Sequence, residues 1–308
     1  MTTSTDFAAP DVPLFDPTAP LTASGNLRRR DAVDRLVRVL ATVAAAIGVG
    51  MLVIVVYSVV TKGASALSIG FVIHNPVGLV GGGIANALLG TLEIVTIAAL
   101  IAVPIGVLTG LYLTEFAGAD SRTGRALKLG LDLMQGIPTI VVGLFVYGLI
   151  VLPLHQESGF AGAVALAIVI LPLMARSAQE VLLLVPGSLR EAADALGVSR
   201  WRSVLTVILP AATGGIVTGA ILAIARGAGE TAPLLICDSI FNTQTTSLNP
   251  FHGIPSVPMY IYTITEEAVS GVFVRAWGAA FILLVMILLA NLLARVILAR
   301  SRAKMGAS

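Results

Sequence analysis

The chain has 308 residues, of which 56% are hydrophobic and only 12% charged, and its formal net charge is +2. Soluble domains carry about 25% charged residues, so this composition leaves too few charges to cover a water-facing surface and excludes an ordinary soluble protein. The single cysteine, Cys237, excludes an internal disulfide. A lipid bilayer is therefore the expected solvent for much of the chain.

The N-terminal residues 1–36 are predicted to form a disordered cytoplasmic tail. Pro10, Pro13, Pro17 and Pro20 lie there among Asp, Thr and Ala, a composition that buries no core. The segment does not resemble a signal peptide, because it is acidic where a basic region should be. The apolar run that follows it is also far longer than the apolar part of a signal peptide.

Six apolar stretches are long enough, or nearly so, to cross a bilayer as helices, which takes about 20 residues. They are predicted at 37–60, 87–113, 126–152, 160–184, 207–235 and 273–297. These stretches are too long for barrel strands, and helices are the other structure that satisfies the backbone in hydrocarbon. The sequence therefore predicts an all-α membrane protein with six transmembrane helices.

The basic residues predict the orientation of these helices. Sixteen of the 19 Lys and Arg residues flank the spans on one side, and the positive-inside rule places that side in the cytoplasm. Both termini, including a tail at 298–308, are then cytoplasmic. The outer segment 61–86 contains three consecutive glycines, Gly81–Gly83, for which a tight turn is favoured over a hinge. The second outer segment, 236–272, is either a plain connector or a platform for an outside partner.

The cytoplasmic loop 185–210 is predicted to contain a short helix. Ser188 and Glu191 have the spacing of a capping box, and Gly197 is expected to end the helix. The apolar face comprises Leu189, Ala192, Ala193 and Leu196, with Arg190 and Asp194 on the other face. Such a face suits insertion into a groove on a partner, although a helix that merely joins two spans is the alternative. A second short helix is predicted to begin at Ser199.

Charged residues inside the fifth predicted span indicate a second candidate site. A buried Arg costs about 2.5–3.5 kcal/mol on the insertion scale, so Arg226 needs a partner or a water-lined cavity. Glu230 lies four positions after Arg226 and is expected on the same helix face. The two residues either neutralise each other or form an anion site, since a guanidinium group matches phosphate in its hydrogen bonding. Gln135 lies beside the helix bend expected at Pro138, which is either part of a pathway or a structural kink. We expect Arg226, Glu230, Gln135 and Thr231 to form a substrate pathway.

A loop motif and several span motifs carry a family resemblance. The run Glu191-Ala192-Ala193, Gly197 and Val207-x-Leu209-Pro210 resembles the EAA loop of permease subunits of binding-protein-dependent ABC importers. Every spacing of the family pattern is kept, with Val207 where isoleucine is usual. The runs Gly136-Ile137-Pro138-Thr139 and Arg226-Gly227-Ala228-Gly229-Glu230 resemble the phosphate-specific branch of that family, the PstA type. The resemblance covers about residues 80–300.

The resemblance implies a type I ABC importer (MetI-like) permease core over residues 87–297, in the bacterial cytoplasmic membrane. It implies partners: a second permease (PstC type), a cytoplasmic ATPase dimer (PstB type) and an extracytoplasmic phosphate-binding protein (PstS type). It also implies that the loop helix couples to the ATPase through Glu191, Ala192, Ala193, Gly197, Leu189 and Leu196. ATP and Mg²⁺ are then bound by the ATPase, whereas this chain binds no cofactor and is not itself an enzyme.

Other functional classes have less support in the sequence. No nucleotide-binding loop of the G-x-x-x-x-G-K-[ST] type is present, and the three His residues lack metal-site spacing. Basic residues follow the membrane side rather than forming a nucleic-acid patch. Phosphate import is the predicted function. A permease of the same fold for sulfate or molybdate, or a stand-alone channel or membrane enzyme, remains the alternative.

Overall fold

The computed structural model describes residues 27–78, 81–118, 121–238, 248–267, 269 and 271–305. The chain divides into two units, residues 1–56 and 57–308. The described residues form thirteen α-helices: α1 Leu27–Gly63, α2 Ile69–Ile73, α3 Ala85–Leu111, α4 Arg122–Gly136, α5 Thr139–Val146, α6 Leu152–Leu154, α7 Gly159–Leu183, α8 Gly187–Ala195, α9 Arg200–Ser203, α10 Leu209–Gly227, α11 Ala232–Cys237, α12 Val257–Glu266 and α13 Val272–Met305. Short 3₁₀ or π-helical turns lie at Ala64–Ala66, Tyr112–Phe116, Tyr147–Val151 and Val204–Ile208. Two short antiparallel strands, β1 Pro76–Val77 and β2 Gly81–Gly82, complete the described elements.

Both terminal helices extend beyond the predicted spans. Helix α1 begins at Leu27, so residues 27–36 are helical and the prediction of a disordered tail to residue 36 is wrong there; residues 1–26 lie outside the described residues. The prolines that indicated disorder end at Pro20, and residues 27–36, which are rich in Arg and Leu, include no Gly or Pro. Helix α13 likewise continues to Met305, into the predicted tail.

The predicted six spans are reached if one bent helix pair is counted as a single span. Among the described residues, five helices are long and apolar enough to cross a membrane, and the bent pair Arg122–Gly136 and Thr139–Leu154 would be the sixth. These two segments meet at an angle of 102°. The bend expected at Pro138 is confirmed, and it divides the third predicted span, 126–152, into two helical segments.

Two predicted spans are broken, each for a local reason. Ile137 takes the extended backbone (φ −73°, ψ 128°) that a following proline favours, and Pro138 then precedes α5 without continuing the helix. The fifth predicted span, 207–235, is divided because α10 ends at Gly227 and α11 begins at Ala232. Glycine is a poor helix former, and Pro233, in the first turn of α11, suits a new helix start.

Helix α7 lies at the centre of the core, and small residues let its neighbours approach closely. Its fully buried residues Ala163, Leu166 and Ala167 pack in one cluster with Ile94 and Ala98 of α3. Five glycines of the neighbouring helices also face residues of α7. They are Gly106 and Gly110 of α3, and Gly215, Gly219 and Gly227 of α10. Small-residue contacts of this kind are the usual basis of helix packing in membranes. The three helices therefore form one tightly packed layer.

The triple glycine packs closely against the preceding segment, with Gly81 and Gly82 in strand β2; the turn expected there stays a prediction. Gly82 pairs with Pro76 in the two-stranded ladder and has a left-handed φ of +70°. A Cβ at Gly82 would overlap the carbonyl oxygen of Asn75, and one at Gly83 would overlap backbone carbonyls of the preceding segment. Only glycine fits both the conformation and the space.

Replacing Gly90 with Ala is expected to destabilise the protein. A Cβ at Gly90 would overlap the carbonyl oxygen of Pro255 and the side chain of Ile254, and a backbone atom cannot move aside as a side chain does. We expect a loss of about 1–3 kcal/mol of stability from overpacking, measured as a lower Tm of the detergent-solubilised protein. The matched control is Gly130→Ala in α4, where nothing lies within 4 Å of the added atom; an equal loss of Tm in both variants would contradict the prediction.

The second outer segment is more than a plain connector in its described part. Asp238 is fully buried, and its Oδ1 accepts a hydrogen bond from the Ile254 N–H at 2.8 Å. Its Oδ2 is buried without a hydrogen-bond partner among the described residues. Helix α12 follows, and its Val257, Met259 and Tyr260 are buried in the core. Residues 239–247 lie outside the described residues.

The stability of the protein is expected to fall as the pH rises toward 8 because of Asp238. Burial, helped by the nearby Glu157 and Glu93 carboxylates, raises the pKa of the Asp238 carboxyl to about 8, against a smaller lowering by the Ile254 N–H. The folded state therefore holds a proton that the unfolded state releases near pH 3.9, and this stabilisation is lost as the pH rises through the folded pKa. We expect Tm to decrease between pH 6 and pH 9, and the decrease to be smaller in Asp238→Asn, whose side chain mimics the protonated acid. Parallel pH profiles would contradict this assignment.

Candidate functional site

The cytoplasmic-loop helix predicted from the sequence is α8, and it ends as expected. Gly197 has a left-handed φ of +69°. The Gly197 N–H donates to Asp194 O at 3.0 Å, and the Val198 N–H donates to Ala193 O at 3.1 Å. These two bonds form the Schellman pattern that satisfies the last carbonyls of a helix. The second short helix also begins where predicted, with Ser199 at the N-cap of α9.

The start of α8 differs from the prediction. Pro186, not Ser188, holds the N-cap position, and no side chain caps the helix. The Pro186 carbonyl accepts the first hydrogen bond, from the Leu189 N–H at 3.2 Å. Because the extended backbone ends at Pro186, Ser188 already lies inside the first turn and its hydroxyl cannot serve as the cap. The predicted capping box of Ser188 and Glu191 is therefore wrong.

The predicted coupling residues of α8 divide between an outer and an inner surface. Ala193 is buried, at 5% exposure, and packs against the rest of the unit. Glu191 and Ala192 are exposed. Leu189 is 38% exposed, and Leu196 is 82% exposed. The exposed Leu196 side chain gives this helix an uncovered apolar surface for a partner.

Arg190, predicted on a free polar face, instead points inward. Its Nη2 donates to Glu115 Oε1 at 2.7 Å, and its Nε donates to the same oxygen at 3.1 Å. The Glu115 side chain is only 1% exposed. Sequence reasoning missed Glu115; the available signal was a single carboxylate at the inner end of the second apolar stretch, beside Phe116.

Three of the four predicted pathway residues line one cavity of about 230 Å³. Gln135 comes from the end of α4, Arg226 from the last turn of α10, and Glu230 from the turn after it. The other lining residues are Met134, Ile137, Thr139, Val142, Val169, Pro172 and Leu173. Thr231 is not among them. The two helix breaks thus bring polar groups from distant parts of the chain to the same space.

Arg226 and Glu230 do not form the ion pair that helical spacing suggested. Because α10 ends at Gly227, the two residues are not four apart on one continuous helix. Within the described residues, neither side chain has an ion pair or a hydrogen bond. Arg226 is exposed and Glu230 half-buried. A guanidinium whose N–H groups are free at a cavity wall can bind an oxyanion through two parallel hydrogen bonds.

A second ion pair lies between two of the helices that line this cavity. Asp132 of α4 pairs with Arg176 of α7. Arg176 Nη1 also donates to Gln179 Oε1 at 3.3 Å. The pair joins the C-terminal half of α4 to α7. In the described part of the chain, no group of three or more His, Cys, Asp or Glu side chains is arranged to hold a metal ion.

Comparisons with known proteins agree with this architecture. The family described as "Binding-protein-dependent transport system inner membrane component" matches residues 102–303. The phosphate transport system permease protein PstA of Haemophilus influenzae is 38% identical over 267 residues, covering 86% of this chain and 94% of that protein. PstA 1 of Mycobacterium tuberculosis is 41% identical over 218 residues, 70% of each chain.

A solved structure is similar to this one in fold. It is an inward-facing methionine ABC transporter, MetNI, with a TM-score of 0.54 and 20% identity; the match covers 71% of this chain and 94% of that chain. At this identity the likeness shows the fold alone, and it confirms the predicted all-α, MetI-like permease architecture.

Proposed function

The chain belongs to the family of binding-protein-dependent transport system inner membrane components, and on this premise we propose that it is the permease subunit of an ATP-driven importer of inorganic phosphate. The observation that carries the proposal is the Arg226 guanidinium, which has no partner among the described residues and lies in a cavity shared with Gln135 and Glu230. The phosphate transport permeases to which the chain is 38% and 41% identical support the choice of anion.

The cavity suits an anion through its backbone as well as its side chains. Thr139, the first residue of α5, lines the cavity, and no side chain caps that helix start. The N-terminus of a helix carries partial positive charge and free N–H groups, which favour anions, and broken helices serve this purpose in many transporters. Glu230 opposes the attraction, so the anion is held weakly enough to leave the site.

The proposed subunit works only in a complex. An outer binding protein (PstS type) delivers phosphate, this chain and a second permease (PstC type) form the pathway, and an ATPase dimer (PstB type) binds ATP and Mg²⁺. Both termini and α8 face the cytoplasm. Closure of the ATPase moves α8, and the movement switches access to the cavity from the outside to the inside. The chain itself carries out no chemical reaction.

Reconstitution tests this function. The complex of this chain with its second permease, ATPase and binding protein is placed in liposomes, and uptake of labelled phosphate, sulfate and molybdate is measured with and without ATP. We expect accumulation of phosphate that requires ATP and all subunits. Uptake of sulfate or molybdate in preference to phosphate would show that this other anion is the substrate. Phosphate accumulation by this chain alone would refute the permease-subunit function.

A further inference from the structure

Arg190 connects three separate segments through one side chain. Its Nε and Nη2 contact Glu115 of the π-helical turn that ends α3. Its Nη2 also donates to Leu182 O at 2.9 Å in the last turn of α7, and its Nη1 donates to Val185 O at 2.8 Å in the link to α8. The planar guanidinium has five N–H donors in fixed directions, so it can hold all of these acceptors at once.

Arg190 and Glu115 neutralise each other's charge. The Glu115 side chain is 1% exposed and that of Arg190 is 26% exposed. Among the described residues, Arg190 is the ion-pair partner of Glu115. Removing one member would leave an uncompensated charge in a buried place, which is far more costly than replacing both members with apolar residues of similar volume. This difference allows a structural role and a positional role to be separated by experiment.

The pair lies between the exposed surface of α8 and the helices of the cavity. Arg190 immediately precedes Glu191 and Ala192, which are exposed. On its inner side, Leu111, Leu182 and Val185 belong to one buried cluster that joins α3 and α7. Helix α7 then carries Val169, Pro172 and Leu173 to the cavity wall. The ion pair therefore gives a displacement of α8 a direct side-chain contact to α3, and the hydrogen bond to Leu182 O gives it one to α7.

We propose that Arg190 and Glu115 are positioning residues that transmit the movement of α8 to α3 and α7. The proposal rests on the proposed function, since it assumes that an ATPase moves α8. A salt bridge with directional hydrogen bonds to the α7 carbonyls keeps α8 at a fixed distance from both helices. An apolar contact in its place fills the same volume but allows α8 to slide.

The first measurement compares uptake with ATP hydrolysis in the reconstituted complex. The variants are Glu115→Gln and the double variant Glu115→Met with Arg190→Met, and the control is Arg202→Gln in α9, outside the pair. We expect both pair variants to co-purify with the ATPase and to hydrolyse ATP, while phosphate uptake per ATP falls about 2-fold to 30-fold, the range of coupling changes in such networks. Arg202→Gln should keep the wild-type ratio. A wild-type ratio in the double variant would overturn the proposal.

The second measurement needs no transported substrate. Spin labels on Asp194→Cys in α8 and Leu108→Cys in α3, with Cys237→Ser, report the distance between these helices in the complex. With the pair intact, we expect the same distance with and without ATP; in the double Met variant, we expect the distance to change when ATP binds. An unchanged distance in the double variant would overturn the proposal. If the wild-type complex takes up no phosphate, but ATP leaves its distance unchanged and alters that of the double Met variant, the phosphate function fails and the role of the pair stands.

Discussion

Replacing Arg226 with Gln is expected to abolish ATP-driven phosphate uptake while the complex assembles normally. Arg226 lines the cavity with no side-chain partner of its own among the described residues, so its N–H groups are available to the anion. Glutamine is polar and of similar length but has no charge. Losing two charge-assisted hydrogen bonds, each about 1.5–3 kcal/mol, should reduce uptake by about 100-fold or more, measured with labelled phosphate in proteoliposomes.

Two controls separate this effect from misfolding. Arg122→Gln removes a positive charge from the exposed start of α4, outside the cavity lining, and should keep normal uptake. Arg226→Lys keeps the charge but loses the two-pronged geometry, so an intermediate rate is expected. Because no ion pair of Arg226 is lost, Tm should stay close to that of the wild type. Normal uptake by Arg226→Gln would remove Arg226 from the pathway.

Replacing Glu191 with Lys is expected to separate the chain from its ATPase. Glu191 is exposed on α8 beside Ala192, on the surface that the family resemblance assigns to docking. Reversing a charge at an interface places like charges together, which costs several kcal/mol. We expect loss of ATPase co-purification and at least a tenfold decrease in uptake, a change of about 1.4 kcal/mol or more.

The matched control is a second charge reversal on the same helix. Asp194 is also exposed but lies off the predicted docking face, so Asp194→Lys should retain the ATPase. Both substitutions change net charge equally, and neither residue has an ion-pair partner among those described. Equal retention of the ATPase by both variants would count against a docking role for α8.

The spans and the end of α8 could be predicted from the sequence because both depend on local composition. A run of apolar residues has to be helical in lipid, and a glycine after a helical turn accepts the left-handed conformation that Gly197 shows. A bend was expected at Pro138, but its sharpness and the break in the fifth span were missed, because hydrophobicity measures length and not backbone continuity. Ile137 and Pro138 are as apolar as their neighbours, yet they end a helix.

The candidate site was predicted only in part, because its contacts join residues that are distant in sequence. Arg226 and Glu230 were found as charges inside an apolar run, but their expected pairing assumed a continuous helix that ends at Gly227. The Arg190–Glu115 contact joins positions 75 residues apart, and no local pattern connects them. The predicted capping box was wrong for a simpler reason. Ser188 has a hydroxyl that could cap a helix, but Pro186 takes the N-cap position, so Ser188 already lies inside the helix.

The 102° corner between α4 and α5 has an energetic consequence for transport. A straight helix that bends inside a membrane has to break backbone hydrogen bonds in hydrocarbon, each worth several kcal/mol. At this corner the chain is already extended at Ile137, and Pro138 has no amide hydrogen to lose. Rotation of α5 relative to α4 can therefore widen or narrow one wall of the cavity without melting any helix.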